Sequence, residues 1–112
     1  QGALAIHLAL GQLTSAEIAQ ISAIVLLDDP AKTGDGREER LGTATGTAPG
    51  IYTKKVAKTQ MPNELSSRTV SWCNQFDIVC APGIGSNSIP HTSYSDTELA
   101  TLGRWAADEI QP

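Results

Sequence analysis

Between Ala3 and Leu13 the residues Leu4, Ile6, Leu8, Ala9 and Leu10 are too dense for a one-sided surface helix, which predicts a helix buried on most of its sides. Thr14 followed three residues later by Glu17 has the form of a capping box, and Ile18 and Ile21 continue at helical spacing, so a second, short amphipathic helix is expected. Ser22 to Leu27 then holds the run Ile24-Val25-Leu26-Leu27 before Asp28-Asp29-Pro30, which predicts a strand buried on both faces and stopped by a turn. From Ala31 to Ser67 no period is sustained, and Gly34-Asp35-Gly36 and Pro49-Gly50 signal turns. That stretch reads as one long loop, either covering a binding cleft or serving as a surface connection. Arg68 to Cys73 predicts a second short strand through Val70 and Trp72, and Cys73 to Tyr94 a further loop. Ser95 and Glu98 repeat the capping box ahead of a C-terminal helix with Leu99, Leu102, Ala106 and Ile110 on one face. Helices around buried strands predict an α/β fold built on a parallel sheet.

Composition narrows the classes of function. The 112 residues and a hydrophobic share of 40% allow one small domain, or part of one. The net charge of -4 comes from scattered acids, which argues against a phosphate backbone as a partner and sets nucleic acid aside. No apolar run reaches the roughly 20 residues of a membrane span, and the first residues do not read as a signal peptide. The chain opens without methionine inside an apolar, helix-like stretch, which suggests the continuation of a longer parent.

Cys73 and Cys80 are the two cysteines, and a small-loop disulfide between them is geometrically possible. A zinc site would want four ligands, but the histidines are His7 and His91, and a redox pair usually has the tighter C-x-x-C spacing. A bridge would imply an oxidising, extracellular compartment. Asp77 lies between the cysteines, and His91 follows in Pro90-His91-Thr92-Ser93-Tyr94, just before the last helix. Both sit on loops after a strand, in the order acid then histidine in which an α/β-hydrolase completes its triad. In that chemistry the histidine takes the proton of a serine, and the carboxylate holds the imidazole through Nδ1–H and stabilises its charged form. Asp28-Asp29, at a strand end, is an alternative source of the acid. His7, within a run of leucines, reads as a packing or hydrogen-bonding residue. Trp72 and Trp105 read as packing residues, and Arg37-Glu38-Glu39-Arg40 as a solvated loop.

The segment Cys73-Asn74-Gln75-Phe76-Asp77-Ile78-Val79-Cys80, followed by Pro90-His91-Thr92-Ser93-Tyr94, resembles the C-terminal signature of the cutinase family of serine esterases. The resemblance implies a Cys73–Cys80 disulfide, Asp77 as the acid and His91 as the base. Phe76 departs from it, standing where the family commonly has glycine. The opening Gln1-Gly2-Ala3 resembles the end of the family's Gly-x-Ser-Gln-Gly elbow, which implies a nucleophilic serine just before Gln1 and an oxyanion-hole role for the backbone N–H of Gln1. Ser86 in Gly85-Ser86-Asn87 lacks the strand and helix that a nucleophile elbow needs.

Residues 1–112 are therefore expected to be the C-terminal portion of a single cutinase-like domain of secreted type. Its implied partners are the missing N-terminal part and an ester substrate: plant polyester, lipid, small acyl ester or mycolyl-type ester. The implied mechanism needs no cofactor and no metal, and this chain alone, lacking the nucleophile, is expected to hydrolyse nothing. The competing reading is a non-catalytic binding or structural fragment of such a domain.

Overall fold

The computed structural model describes residues 1–44, 49–53 and 61–110. Its helices are α1 (Gly2–Leu10), α2 (Ser15–Ala19), α3 (Asn63–Ser66), α4 (Ile89–Thr92) and α5 (Asp96–Ile110). The strands β1 (Ile24–Leu27), β2 (Glu39–Leu41) and β3 (Thr69–Trp72) form one sheet in the order β1-β3-β2, every pair parallel. Ile24 registers with Thr69 and Leu27 with Trp72, while Leu41 also registers with Trp72. Asp28 N–H donates to the Trp72 carbonyl at 3.0 Å and extends the ladder by one residue. Because the strands are parallel, the segments leaving their C-terminal ends all emerge at one edge of the sheet.

Ala3 and Leu10 of α1 pack with Ile24, Leu26, Met61 and Leu65 to form the core, and Ile6, Leu13, Ile18 and Ile21 close in around it. The Thr14–Glu17 box forms in full, Glu17 N–H donating to Thr14 Oγ1 at 3.2 Å and Thr14 N–H to Glu17 Oε1 at 2.9 Å. Ser95 and Glu98 repeat it at the start of α5, Glu98 N–H donating to Ser95 Oγ at 3.1 Å and Ser95 N–H to Glu98 Oε1 at 3.3 Å. No helix is long and apolar enough to cross a membrane, among the described residues.

Four local expectations need correction. Helix α1 ends at Leu10 rather than Leu13 and is not buried on most sides: Ala3, His7 and Leu10 face inward, while Leu8 is 54% exposed. Strand β1 alternates, with Ile24 and Leu26 buried and Leu27 exposed, because only the face turned toward α1 is fully covered within this chain. The stretch 31–67 is not a single loop; residues 45–48 and 54–60 lie outside the described residues, but the rest includes β2 and α3. Arg37–Arg40 is not a solvated loop either: Glu38 is buried and accepts from Arg40 Nη2 at 3.0 Å, and Glu39 opens β2 and accepts from Trp105 Nε1 of α5 at 2.7 Å. Its charges concealed a three-residue strand whose polar side chains have structural partners.

Candidate active site

The acids of this site come from the ends of β1 and β3. After β1, Asp28 and Asp29 diverge, and both are buried. Asp29 Oδ2 meets His7 Nε2 at 2.6 Å and its Oδ1 accepts from Ala31 N–H at 2.9 Å, which ties the turn after β1 to α1. Asp29 is thereby engaged away from His91. Segment 49–53 lies over the same turn, with Gly50 N–H donating to the Lys32 carbonyl at 2.8 Å; any Cβ on Gly50 would sit 2.3 Å from the Pro30 oxygen, so the approach requires glycine.

After β3 the chain enters a ring closed by the Cys73–Cys80 disulfide. Within it Phe76 has φ +68°, a left-handed conformation unusual for an aromatic residue and natural for glycine. That turn directs Asp77 inward, where it is 0% exposed. Asp77 Oδ1 accepts the N–H groups of Val79 at 2.7 Å and Cys80 at 3.2 Å, so the ring's own backbone holds the carboxylate. The ring is joined to the histidine segment by Asn87. Its N–H donates to the Phe76 carbonyl at 2.8 Å, its carbonyl accepts from Ile78 N–H at 3.1 Å, and its Oδ1 accepts from Ile89 N–H at 3.0 Å at the start of α4.

His91 lies on α4, a single helical turn in a stretch expected to be loop. Its Nδ1 sits 3.4 Å from Asp77 Oδ1 and 3.4 Å from Asp28 Oδ2. The expected Nδ1–H hydrogen bond to Asp77 does not form at this geometry, because the ring nitrogen is shared between two carboxyl groups and aligned with neither. The hydroxyl of Tyr94 donates to Asp28 Oδ1.

The two acids differ electrostatically. Burial pushes Asp28 up to about 8, and its hydrogen bond with Asp77 and the nearby Asp77 charge add to this, against the opposing effects of Tyr94 and the Gln1 amino group. Burial acts in the same sense on Asp77, but the hydrogen bond with Asp28, the N–H groups of Val79 and Cys80 and the proximity of His91 outweigh it and hold Asp77 below the ordinary carboxylate range. Tyr94 is raised by burial and by its hydrogen bond to Asp28. Two carboxyl groups thus stand side by side against one imidazole, and their surroundings push them in opposite directions. Asp28, Asp77 and Cys80 also place possible ligand atoms within 4.8 Å of one another, but the Cys80 sulfur is in the disulfide and is not a thiolate, so the donor set does not suit a metal ion.

A buried acid from a disulfide ring thus meets a histidine from a later turn at the carboxyl edge of a parallel sheet. The cutinase family matches residues 1–110. The chain belongs to the cutinase family. It is 32% identical over 111 residues to the cutinase CUT1 of Coprinopsis cinerea, covering 98% of this chain and 42% of that protein. Two structures of acetylxylan esterase share the fold, with TM-scores of 0.66 and 0.64 at 21% and 20% identity, each match covering 89% of this chain and 44% of the other. The chain thus spans less than half the length of these relatives.

Sequence reasoning singled out Asp77, His91 and the cysteines, and the fold brings these four to one place. It weighed Asp28 only as a replacement for Asp77, whereas both carboxyl groups face His91. Tyr94 and Asn87 were assigned no role. The position of Tyr94 beside the histidine segment was visible, but its partner lies 66 residues away in the sequence.

Proposed function

We propose that this chain supplies the acid and the base of a secreted serine esterase, with Asp77 as the acid, His91 as the base, and a nucleophilic serine joined to Gln1 in a longer protein. The observation that carries this reading is the contact of His91 Nδ1 with a fully buried carboxylate held by two backbone N–H groups. Such a carboxylate stays ionised and orients the imidazole, so that Nε2 can take the serine proton and later return it to the leaving alcohol. The 3.4 Å separation suits a resting site whose hydrogen bond tightens when the nucleophile and substrate are in place.

The position of Gln1 supports the rest of the assignment. Its amino group is near enough to Asp28 to lower that acid electrostatically, and Asp28 touches His91, so a residue joined to Gln1 would enter the same cluster. Gln1 also stands at the N-cap position of α1, where the helix dipole and the free backbone N–H groups favour a developing oxyanion. The attack forms an acyl-enzyme with release of the alcohol, and water then releases the acid by the reverse proton path. No cofactor is required.

The names of the relatives, cutinase and acetylxylan esterase, support carboxylic esters as the substrate class. Exposed Phe76, Ile78, Ile84 and Ile89, on the loops carrying the acid and the histidine, favour an ester with apolar substituents. The disulfide supports export to an oxidising compartment.

Labelling of the full-length protein with a fluorophosphonate, followed by peptide mapping, tests the assignment. The expected adduct is on a serine joined to Gln1, and its formation is lost in His91→Ala. An adduct on Ser86 or on any other serine of residues 1–112, or labelling unaffected by His91→Ala, would overturn it.

A further inference from the structure

Asp77 Oδ1 is satisfied by two backbone N–H groups, but Oδ2 is buried with no donor among the backbone and fixed side-chain N–H and O–H groups of the described residues. The carboxyl group beside it is Asp28: one oxygen of each lies within 4.8 Å of the other, and His91 Nδ1 stands 3.4 Å from both residues. Two carboxyl groups in such contact, both shielded from water, do not both ionise; they share one proton. Asp77 has the better provision for a charge, with two N–H donors against the single Tyr94 hydroxyl on Asp28. The proton therefore belongs on Asp28.

We propose that Asp28 is a positioning residue of the site, a carboxylic acid that donates its proton to Asp77 and binds the end of β1, the disulfide ring and the histidine segment into one unit. The proposal rests on the reading of Asp77 as acid and His91 as base. Asp28 joins these parts directly: Oδ1 accepts from Tyr94, just after α4, and Oδ2 stands 3.4 Å from His91 Nδ1. Its φ of +51° turns the residue at the strand end into a left-handed conformation, which aspartate and asparagine tolerate better than most residues.

The charged and titratable groups facing Asp28 are Asp77 from the ring, His91 from α4, Tyr94 from the segment before α5, and the Gln1 amino group from the start of α1. Asp29, next in the chain, is turned toward His7, and Lys32 acts on Asp77 from elsewhere in the same network. Joining Gln1 to a preceding residue removes the amino charge and holds the proton on Asp28 more firmly. When that proton is lost, Asp77 loses a donor and gains an adjacent negative charge, and the acid is no longer held beside the base. The desolvation that raises Asp28 is consistent with this arrangement.

The test is carboxyl carbon NMR of the full-length protein across pH, with the Asp28 resonance assigned by its loss in Asp28→Asn, together with pH–rate profiles. Asp28 is expected to titrate at about pH 8 or above, the amino charge at Gln1 being absent from the full-length protein, and a midpoint in the ordinary carboxylate range, about pH 4, would overturn the proposal. Asp28→Gly, which relieves the backbone but removes the donor, should lower kcat about tenfold with KM little changed. Asp28→Asn, which restores an N–H donor to Asp77 and an acceptor for Tyr94, should recover part of that loss. It should also remove the decline in kcat/KM that accompanies ionisation of Asp28 in the wild type. Equal rates in the two variants, or a wild-type decline that persists unchanged in Asp28→Asn, would overturn it. Absence of ester turnover from every form, with the displaced titration intact, would refute the esterase reading while supporting the shared proton.

Discussion

Removing the Cys73–Cys80 bridge separates what the disulfide contributes to stability from what it contributes to the site. The cysteines are 7 positions apart, and closing a loop of about 8 residues lowers the entropy of the unfolded chain by about 8 cal/mol/K, or about 2.5 kcal/mol at 25 °C. Cys73→Ala with Cys80→Ala should therefore shift the denaturant midpoint by that amount divided by the unfolding slope, with the slope itself little changed. The second effect is local. Val79 N–H and Cys80 N–H hold Asp77 Oδ1, and both lie in the last two residues of the ring, so a relaxed ring releases the carboxylate as well. In the full-length protein, at a temperature where the variant is still folded, kcat for a short-chain nitrophenyl ester should fall at least tenfold with KM nearly unchanged. The assay pairs equilibrium unfolding with turnover on the same preparation. A variant destabilised by about 2.5 kcal/mol that keeps wild-type kcat when folded would refute the view that the ring aims Asp77.

Other expectations rest on single contacts. His7→Leu should cost about 3–5 kcal/mol by chemical denaturation, because it leaves Asp29 buried without its partner; a further Asp29→Asn change should recover part of the loss, and additive costs would show that the pair is not coupled. Phe76→Gly should stabilise the fold by about 1 kcal/mol through relief of its left-handed conformation, and a destabilised variant would mean that the exposed ring packs more than its exposure implies. Asp28 is raised in the fold to about 8 from an ordinary value of 3.8, so its contribution is fully present below the ordinary value and is lost as pH rises toward 8. Asp28→Asn should accordingly gain stability over the wild type between pH 5 and pH 7, by about 1–3 kcal/mol; parallel pH–stability curves would contradict it.

The parts of the fold legible in the sequence were those encoded locally. Both capping boxes formed at the residues that signalled them, and the apolar run ending at Leu27 and the pattern around Val70 became neighbouring parallel strands. Strand β2 was hidden because its first residue, Glu39, finds its partner, Trp105, 66 residues away, a tertiary contact that no local periodicity reports. Turn α4 was hidden because four residues containing a proline carry too little helical pattern, and Asn87 supplies its N-terminal hydrogen bond from outside the helix. At the candidate site, the resemblance pointed to Asp77 and His91, and the fold brings the two side chains to 3.4 Å. The place of Asp28 was not legible, because it depends on two parallel strands ending together, and its side chain meets Asp77 and His91 only after β1 and β3 have paired. Phe76 departed from the glycine that the resemblance implied, yet the structure keeps there the left-handed conformation that a glycine would suit.

The most direct test of the central claim is turnover of a short-chain nitrophenyl ester by the full-length protein, wild type against His91→Ala, with folding of both verified. The account predicts hydrolysis by the wild type and a loss of several orders of magnitude in kcat in the variant. A folded His91→Ala protein that hydrolyses the ester at the wild-type rate would contradict it.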